Sequence, residues 1–275
     1  MNRIARVPVL AAVTVTLLAS LTGCKQLEAR DQLNKGVEAY KAAQYEAAID
    51  HFQKAVSLDP NYPMTRVYLA TAYAQQVVPD LKTPKNEKIA QTAIDQFNKV
   101  LEKHPNDVTS LAQIANLYMD LDEFDKSKEW NQKVLAADPK NSQAAYTIGV
   151  IDWRQAYKNS IGVLKSANLT DNGKGNAKLP KQYCESLKQE NTDIVNNGIE
   201  YLQKALDINP SYDDAMSYMN LMYRQKANLA CGDTKQREAD VQTADNWAAK
   251  QLATRRANEM KQNKGNEGIV IQSGK

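Results

Sequence analysis

Along most of the chain the apolar residues recur every three or four positions and do not alternate. Ala48, Phe52 and Ala55, and again Ala93, Phe97 and Val100, fall on one face of a helix with 3.6 residues per turn. No convincing strand pattern accompanies them, so the pattern predicts an all-α chain. The helical runs close on similar phrases: Ser57-Leu58-Asp59-Pro60, Lys103-His104-Pro105, Ala136-Ala137-Asp138-Pro139 and Asp207-Ile208-Asn209-Pro210. Proline cannot continue a helix and biases the residue before it toward extended geometry, so each phrase predicts a turn into the next element.

Reading backward from each proline exposes a repeat. Gly36, Ala48, Phe52, Ala55 and Pro60 occupy the same places as Ala70, Tyr73, Ala93, Phe97, Val100 and Pro105, and as Ala115, Tyr118, Ser127, Val134 and Pro139. Ile148, Gly149, Gly198, Leu202, Ala205 and Pro210 make a fourth set. Small residues such as Gly36 and Ala48 let two helices approach, with Phe52 filling the space beside them. Trp153, Ala156, Tyr157, Ile161 and Leu164 extend the period past the fourth unit's first helix. Breakers at 169–176 follow, and Tyr183, Leu187, Ile194 and Leu202 predict a long return helix. Residues 78–84 read as a shorter loop inserted in the second unit. A fifth unit opens at Asp213 with Met216, Met219 and Tyr223, resumes at Ala244, Trp247 and Ala248, and has no closing proline. From Asn263 the pattern fails and a disordered tail, 263–275, is expected.

These residues resemble the tetratricopeptide repeat (TPR) family, whose unit is a 34-residue helix-turn-helix with small residues at the crossing and a closing proline. The resemblance implies a right-handed superhelical stack of about five hairpins over 29–262, two of them lengthened, with units near 29–62, 63–107, 108–141, 142–212 and 213–262. Asp152 stands where the family usually has an aromatic, Asn220 where it has Gly or Ala, and Gln251 where it has Ala. The fifth unit therefore reads as a terminal cap. In this family the first helix of each hairpin lines a concave groove that holds a partner segment. Carried over, the groove residues are Leu33, Val37, Tyr40, Met64, Val67, Asn116, Met119, Tyr146, Val150 and Trp153, an apolar and aromatic lining suited to an amphipathic segment. Packing between hairpins is the competing role for Tyr40, Tyr146 and Trp153. Family members that grip a C-terminal carboxylate use Lys, Arg and Asn, whereas the matching positions here are Leu33, Val37, Tyr68, Thr109 and Gln113.

At the amino end Arg3 and Arg6 precede an apolar run from Val7 to Leu18 and small residues to Gly23, the layout of an export signal too short for a comfortable membrane span. Leu21-Thr22-Gly23-Cys24 resembles the lipobox of bacterial lipoproteins. That implies a signal at 1–23, an acylated Cys24 and a short tether at 24–28. Cleavage nearby by the ordinary peptidase, leaving Cys24 free, is the alternative. Lys25 in place of Asp implies the outer membrane under the enteric sorting rule.

The formal charge of +3 falls to +1 once Arg3 and Arg6 leave, so there is no electrostatic footprint for nucleic acid. Cys184 and Cys231 would share an oxidising compartment, toward the same far end of the lengthened hairpins. On straight helices their heights differ by more than a disulfide spans, so a bridge needs tilt or a bend; two unpaired thiols are the other outcome. His51 and His104 have no neighbours at a metal-ligand spacing, and there is no phosphate loop or nucleophile elbow. Asp122 with Glu123, and Asp213 with Asp214, fall at turns or helix starts, where solvation or capping explains them. The reading is a non-enzymatic scaffold of the bacterial cell envelope, without metal or cofactor, lipid-anchored and binding other envelope proteins. The alternative is a module that binds a solute or envelope polymer between the long hairpins, using Tyr157, Tyr183, Tyr201, Tyr218 and Tyr223.

Overall fold

The computed structural model describes residues 9–272, with side chains described from 24 to 263 except at Pro63. The outermost residues of the expected signal and tail, 1–8 and 273–275, lie outside the described residues, as do the side chains of the rest of the signal. Among the described residues there is no strand. The helices follow as α1 (Val9–Lys41), α2 (Tyr45–Leu58), α3 (Pro63–Ala74), α4 (Pro84–Leu101), α5 (Val108–Asp120), α6 (Phe124–Ala137), α7 (Ser142–Ser166), α8 (Lys181–Ile208), α9 (Asp213–Asn228) and α10 (Thr234–Gln272). They divide into two compact units, 1–130 and 131–275, with the boundary inside α6.

In the first unit, α1, α2 and α3 enclose Leu33, Ala48, Ile49, Phe52, Ala55, Leu69 and Ala72. A second core holds Ala70, Ala90, Ala93, Ile94, Phe97, Ile114 and Leu117 from α3, α4 and α5. The crossing of α1 and α2 depends on Gly36, because a β-carbon there would run into the Phe52 ring. Gln32 Oε1 and His51 Nδ1 lie 2.8 Å apart beside that crossing. The inserted loop is gathered around one buried side chain: Asn86 Nδ2 donates to the carbonyls of Val78 and Leu81, each at 2.9 Å, and Asn86 Oδ1 accepts from Val78 N at 2.9 Å. Three backbone polar groups of the loop are thereby paired with one buried side chain.

Both kinds of turn have a local cause. First helices end on a left-handed residue, Ala43 (φ 57°), Asp122 (φ 60°) or Asn168 (φ 56°). The next amide then reaches back to Ala39, Tyr118 or Leu164 at 2.8–2.9 Å, the Schellman closure of orphan carbonyls. The second helices α2 and α8 end on Asp or Asn before proline: Asp59 (ψ 87°) and Asn209 (ψ 89°) are extended, and their side chains accept from Asn61 N at 3.1 Å and Ser211 N at 3.2 Å.

In the second unit, α7 and α8 form a hairpin of 25 and 28 residues, joined by the loop 167–180. Gly149 admits the Leu202 side chain, and Gly198 admits Met222 of α9. Asp152 is buried, and Asn197 Nδ2 donates to its carboxylate. Farther along, Asn191 Nδ2 donates to Ala156 O at 2.8 Å and Ser160 Oγ at 3.2 Å. Arg224 Nη1 donates to Gly173 O at 2.6 Å, and Asn176 N to Asn228 Oδ1 at 3.2 Å, pinning the long loop to α9. Cys184 and Cys231 are joined by a disulfide with their Cα atoms 5.4 Å apart. Straight helices do not describe this end of the hairpin: α9 stops at Asn228, and Cys231 (φ 49°) and Gly232 (φ 91°) turn the chain. Cys231 is thus on a turn, and no helix has to tilt to bring it to α8.

Two expectations about the ends change. Residues 24–28, read as a tether, are part of α1, which runs without a break from Val9 through an exposed Cys24. The tail expected to be disordered from Asn263 keeps helical backbone to Gln272. Among the residues searched, no helix is long and apolar enough to cross a membrane.

Candidate protein-binding surface

The residues expected to line a groove separate into several environments. In the first unit Leu33 is 9% exposed and belongs to the core between α1 and α2. It shares that core with Phe52, and burying its apolar side chain stabilises the hairpin. Val37 and Tyr40 pack against the same core with one side open, and the Tyr40 ring meets Tyr45 edge-on at 5.4 Å. Burial raises the Tyr40 phenol above its ordinary value. Val67 packs on the second core and Met64 is 49% exposed. Asn116 and Met119 border a cleft of 360 Å³ with Gln75, Gln113 and Asp120. The Asp120 carboxyl is held above the usual carboxylate range, first by burial and then by the charge of Asp80.

In the second unit Tyr146, Val150 and Trp153 are all half-buried on α7, and two of them join an aromatic row. Tyr146 meets Tyr212 at 4.9 Å between ring centroids and Tyr218 at 5.6 Å. Tyr218 in turn stands edge-on to Trp153 at 5.2 Å, and Trp153 stacks on Tyr157 at 5.4 Å. Edge-to-face and offset geometries of this kind are those the ring quadrupoles favour. Tyr212 Oη donates to Gln143 Oε1 at 2.6 Å. Burial, followed by the Asp214 charge, pushes the Tyr212 phenol up to about 12, and burial raises Tyr146 as well. Trp153 Nε1 is buried with no acceptor. Outward along α7, Tyr157 is 39% and Ile161 37% exposed.

Tyr212 and its contact with Tyr146 were not anticipated from sequence. The available signal was the recurrence of Tyr two residues after proline, at Tyr62 and Tyr212. The five tyrosines considered for a solute pocket do not share one contact set: Tyr157 and Tyr218 both touch Trp153, whereas the Tyr223 ring lies under Lys226 Nζ at 5.4 Å. Arg224 is tied to Asp245 at 2.8 Å. A polar cleft of 520 Å³ where α9 begins is crossed by Arg255, which pairs with Asp213 at 2.8 Å and Asp214 at 3.1 Å. Among the described residues no group of three His, Cys, Asp or Glu side chains could hold a metal ion.

Two stretches of the first part of the chain match a known repeat. A tetratricopeptide repeat model matches residues 29–62, and a second one matches residues 87–149. The chain carries tetratricopeptide repeats. Both matches end at or before Gly149, so they do not cover most of the lengthened α7–α8 hairpin, α9 or α10. Among solved structures, a MamA RS-1 ArsTM double mutant superposes with a TM-score of 0.56 at 17% identity, covering 85% of this chain and 97% of that one. MamA 41-end from Desulfovibrio magneticus RS-1 gives 0.55 at 17% identity, covering 84% and 96%. These likenesses establish the helical repeat fold. Sperm-associated antigen 1 of Rattus norvegicus is 26% identical over 128 residues, which is 46% of this chain; the match spans 13% of that protein's length.

Proposed function

We propose that this TPR chain is a protein-binding scaffold that catalyses no reaction and works in a bacterial cell envelope, held to a membrane through an acylated Cys24. The observation that carries the reading is the aromatic row Tyr212, Tyr146, Tyr218, Trp153 and Tyr157, because it lies on α7, on α9 and on the residue that caps α9, in first helices of consecutive hairpins, with its outer members partly open. Rings that are rigid, large and half-exposed contribute binding energy at small entropic cost, which is why Tyr and Trp dominate interface hot spots. In the first unit Tyr40, Val37 and Met64 offer a smaller apolar face of the same kind. Export is supported by the leader pattern before Cys24 and by the Cys184–Cys231 disulfide, a bond that persists in oxidising compartments. Partners are other envelope proteins, recognised through short segments.

The test is crosslinking and pull-down from intact cells with the native chain, Cys24→Ala, and the double variant Tyr40→Ala/Tyr146→Ala. A discrete set of envelope proteins is expected with the native chain. That set should shrink with Cys24→Ala and disappear with the tyrosine double variant, while circular dichroism keeps its helical signal. Capture unchanged in the tyrosine variant would overturn the surface assignment, and capture unchanged in Cys24→Ala would overturn the anchor.

A further inference from the structure

The lengthened helix α7 carries charge on one side. From Ser142 to Ser166 its one acid is Asp152, which is fully buried, so the exposed charges of α7 are Arg154, Lys158 and Lys165. Over residues 154–181 six cations, Arg154, Lys158, Lys165, Lys174, Lys178 and Lys181, face the single Asp171. Among the described residues neither Lys158 nor Lys165 takes part in an ion pair.

The cations are placed in register with the apolar stripe. At 100° per residue, Trp153, Tyr146, Tyr157, Val150 and Ile161 occupy an arc of about 80°, and Lys165 and Lys158 fall in the arc directly beside it. The opposite border of the stripe is closed by Tyr212 and Tyr218. A ligand on the stripe therefore meets rings on one side and ammonium groups on the other. From Tyr146 to Ile161 the stripe is about 22 Å long, four turns of a helix laid alongside.

We infer that α7 is a docking seam for an acidic amphipathic helix of a partner protein, with apolar side chains on Trp153, Tyr157 and Ile161 and carboxylates over Lys158 and Lys165. This rests on the scaffold reading and names the chemistry of its partner. Charge complementarity along one edge selects both the partner and its direction, and repels basic segments. A bilayer is a poorer occupant, since only Tyr157 and Ile161 among the stripe residues are more than a third exposed and the inner rings are stepped against α9.

The experiment uses the full chain and a labelled synthetic helix of four turns, with Leu at i, i+4, i+7 and i+11 and Glu along one flank, read by fluorescence anisotropy. Controls are the same helix with Gln for Glu and vesicles of anionic phospholipid. The native chain should bind the Glu helix at least about tenfold more tightly than the Gln helix at low salt, with the difference shrinking as salt rises. Lys158→Glu/Lys165→Glu, whose sites are exposed, should remove that preference, and Tyr157→Ala/Ile161→Ala should weaken both helices. Equal binding of the two helices, or no effect of charge reversal, overturns the seam. So does charge-sensitive binding of vesicles in preference to the Glu helix. If cellular partners survive the charge reversal but are lost in Tyr40→Ala/Tyr146→Ala, the scaffold stands and the acidic partner falls. Loss of neither defeats both.

Discussion

Burial sets the phenol of Tyr212 apart from a tyrosine in water. Tyr212 ionises near pH 10 in an unfolded chain and near 12 in the folded one, because a phenolate there loses water and faces Asp214. Between those values the unfolded state has released a proton that the folded state keeps. Stability is thus insensitive to this group below about pH 10 and declines as pH rises toward about 12. Tyr212→Phe should flatten that alkaline limb, measured as the urea midpoint against pH, at some expense at neutral pH from the lost bond to Gln143. The same scale shows the limit of pattern reading. Leu33 and Val37 stand at neighbouring positions of one stripe, and sequence alone did not separate the leucine that Phe52 covers from the valine left half open. That distinction depends on how closely α2 approaches, which is a tertiary quantity.

At the scale of the element, close approach of helices is written into small residues, and this part of the fold was the most legible. Gly36, Gly149 and Gly198 mark crossings because each faces a bulky partner across a hairpin or its neighbour. Gly162, on the exposed side of α7, has nothing within 4 Å of where a β-carbon would be. The two classes should respond oppositely to alanine. Gly36→Ala forces the Phe52 ring aside and should cost about 1–3 kcal/mol. Gly162→Ala fills no occupied space and should add about 0.5–1 kcal/mol by restricting the unfolded chain. Urea denaturation followed by circular dichroism distinguishes them. Helix closures were harder to foresee. Asp-Pro announces the end of a second helix, but the left-handed residues that close first helices are Ala43, Asp122 and Asn168, without a glycine to signal them.

For the whole molecule, helical repetition and the long fourth hairpin followed from periodicity, whereas the division at residue 130 and the pairing of the cysteines did not. A bond between residues 47 apart depends on where α9 stops, and a two-residue turn decides that. The bridge lies wholly within 131–275. On the chain-entropy account, closing a loop of that length is worth about 4 kcal/mol. Mild reduction, or Cys184→Ser/Cys231→Ser, should therefore loosen the second unit and leave the first unchanged. Hydrogen exchange with mass spectrometry should show protection falling in α8 and α9 but not in α2 or α4; a uniform fall would count against local action of the bridge.

The helical conformation of residues 24–28, which would follow the anchor once residues 1–23 are removed, bears on how far an anchored molecule could range. Five residues of loose chain would let the first hairpin swing through much of a hemisphere above the membrane. Five helical residues rise about 7 Å and point in one direction. With a lipid on Cys24, α1 would act as a mast planted in the bilayer. Such a mast raises the effective concentration of the first unit's own apolar face toward partners at one height and withholds it from all others. Inserting a glycine-serine segment just after Cys24 would exchange that selectivity for reach.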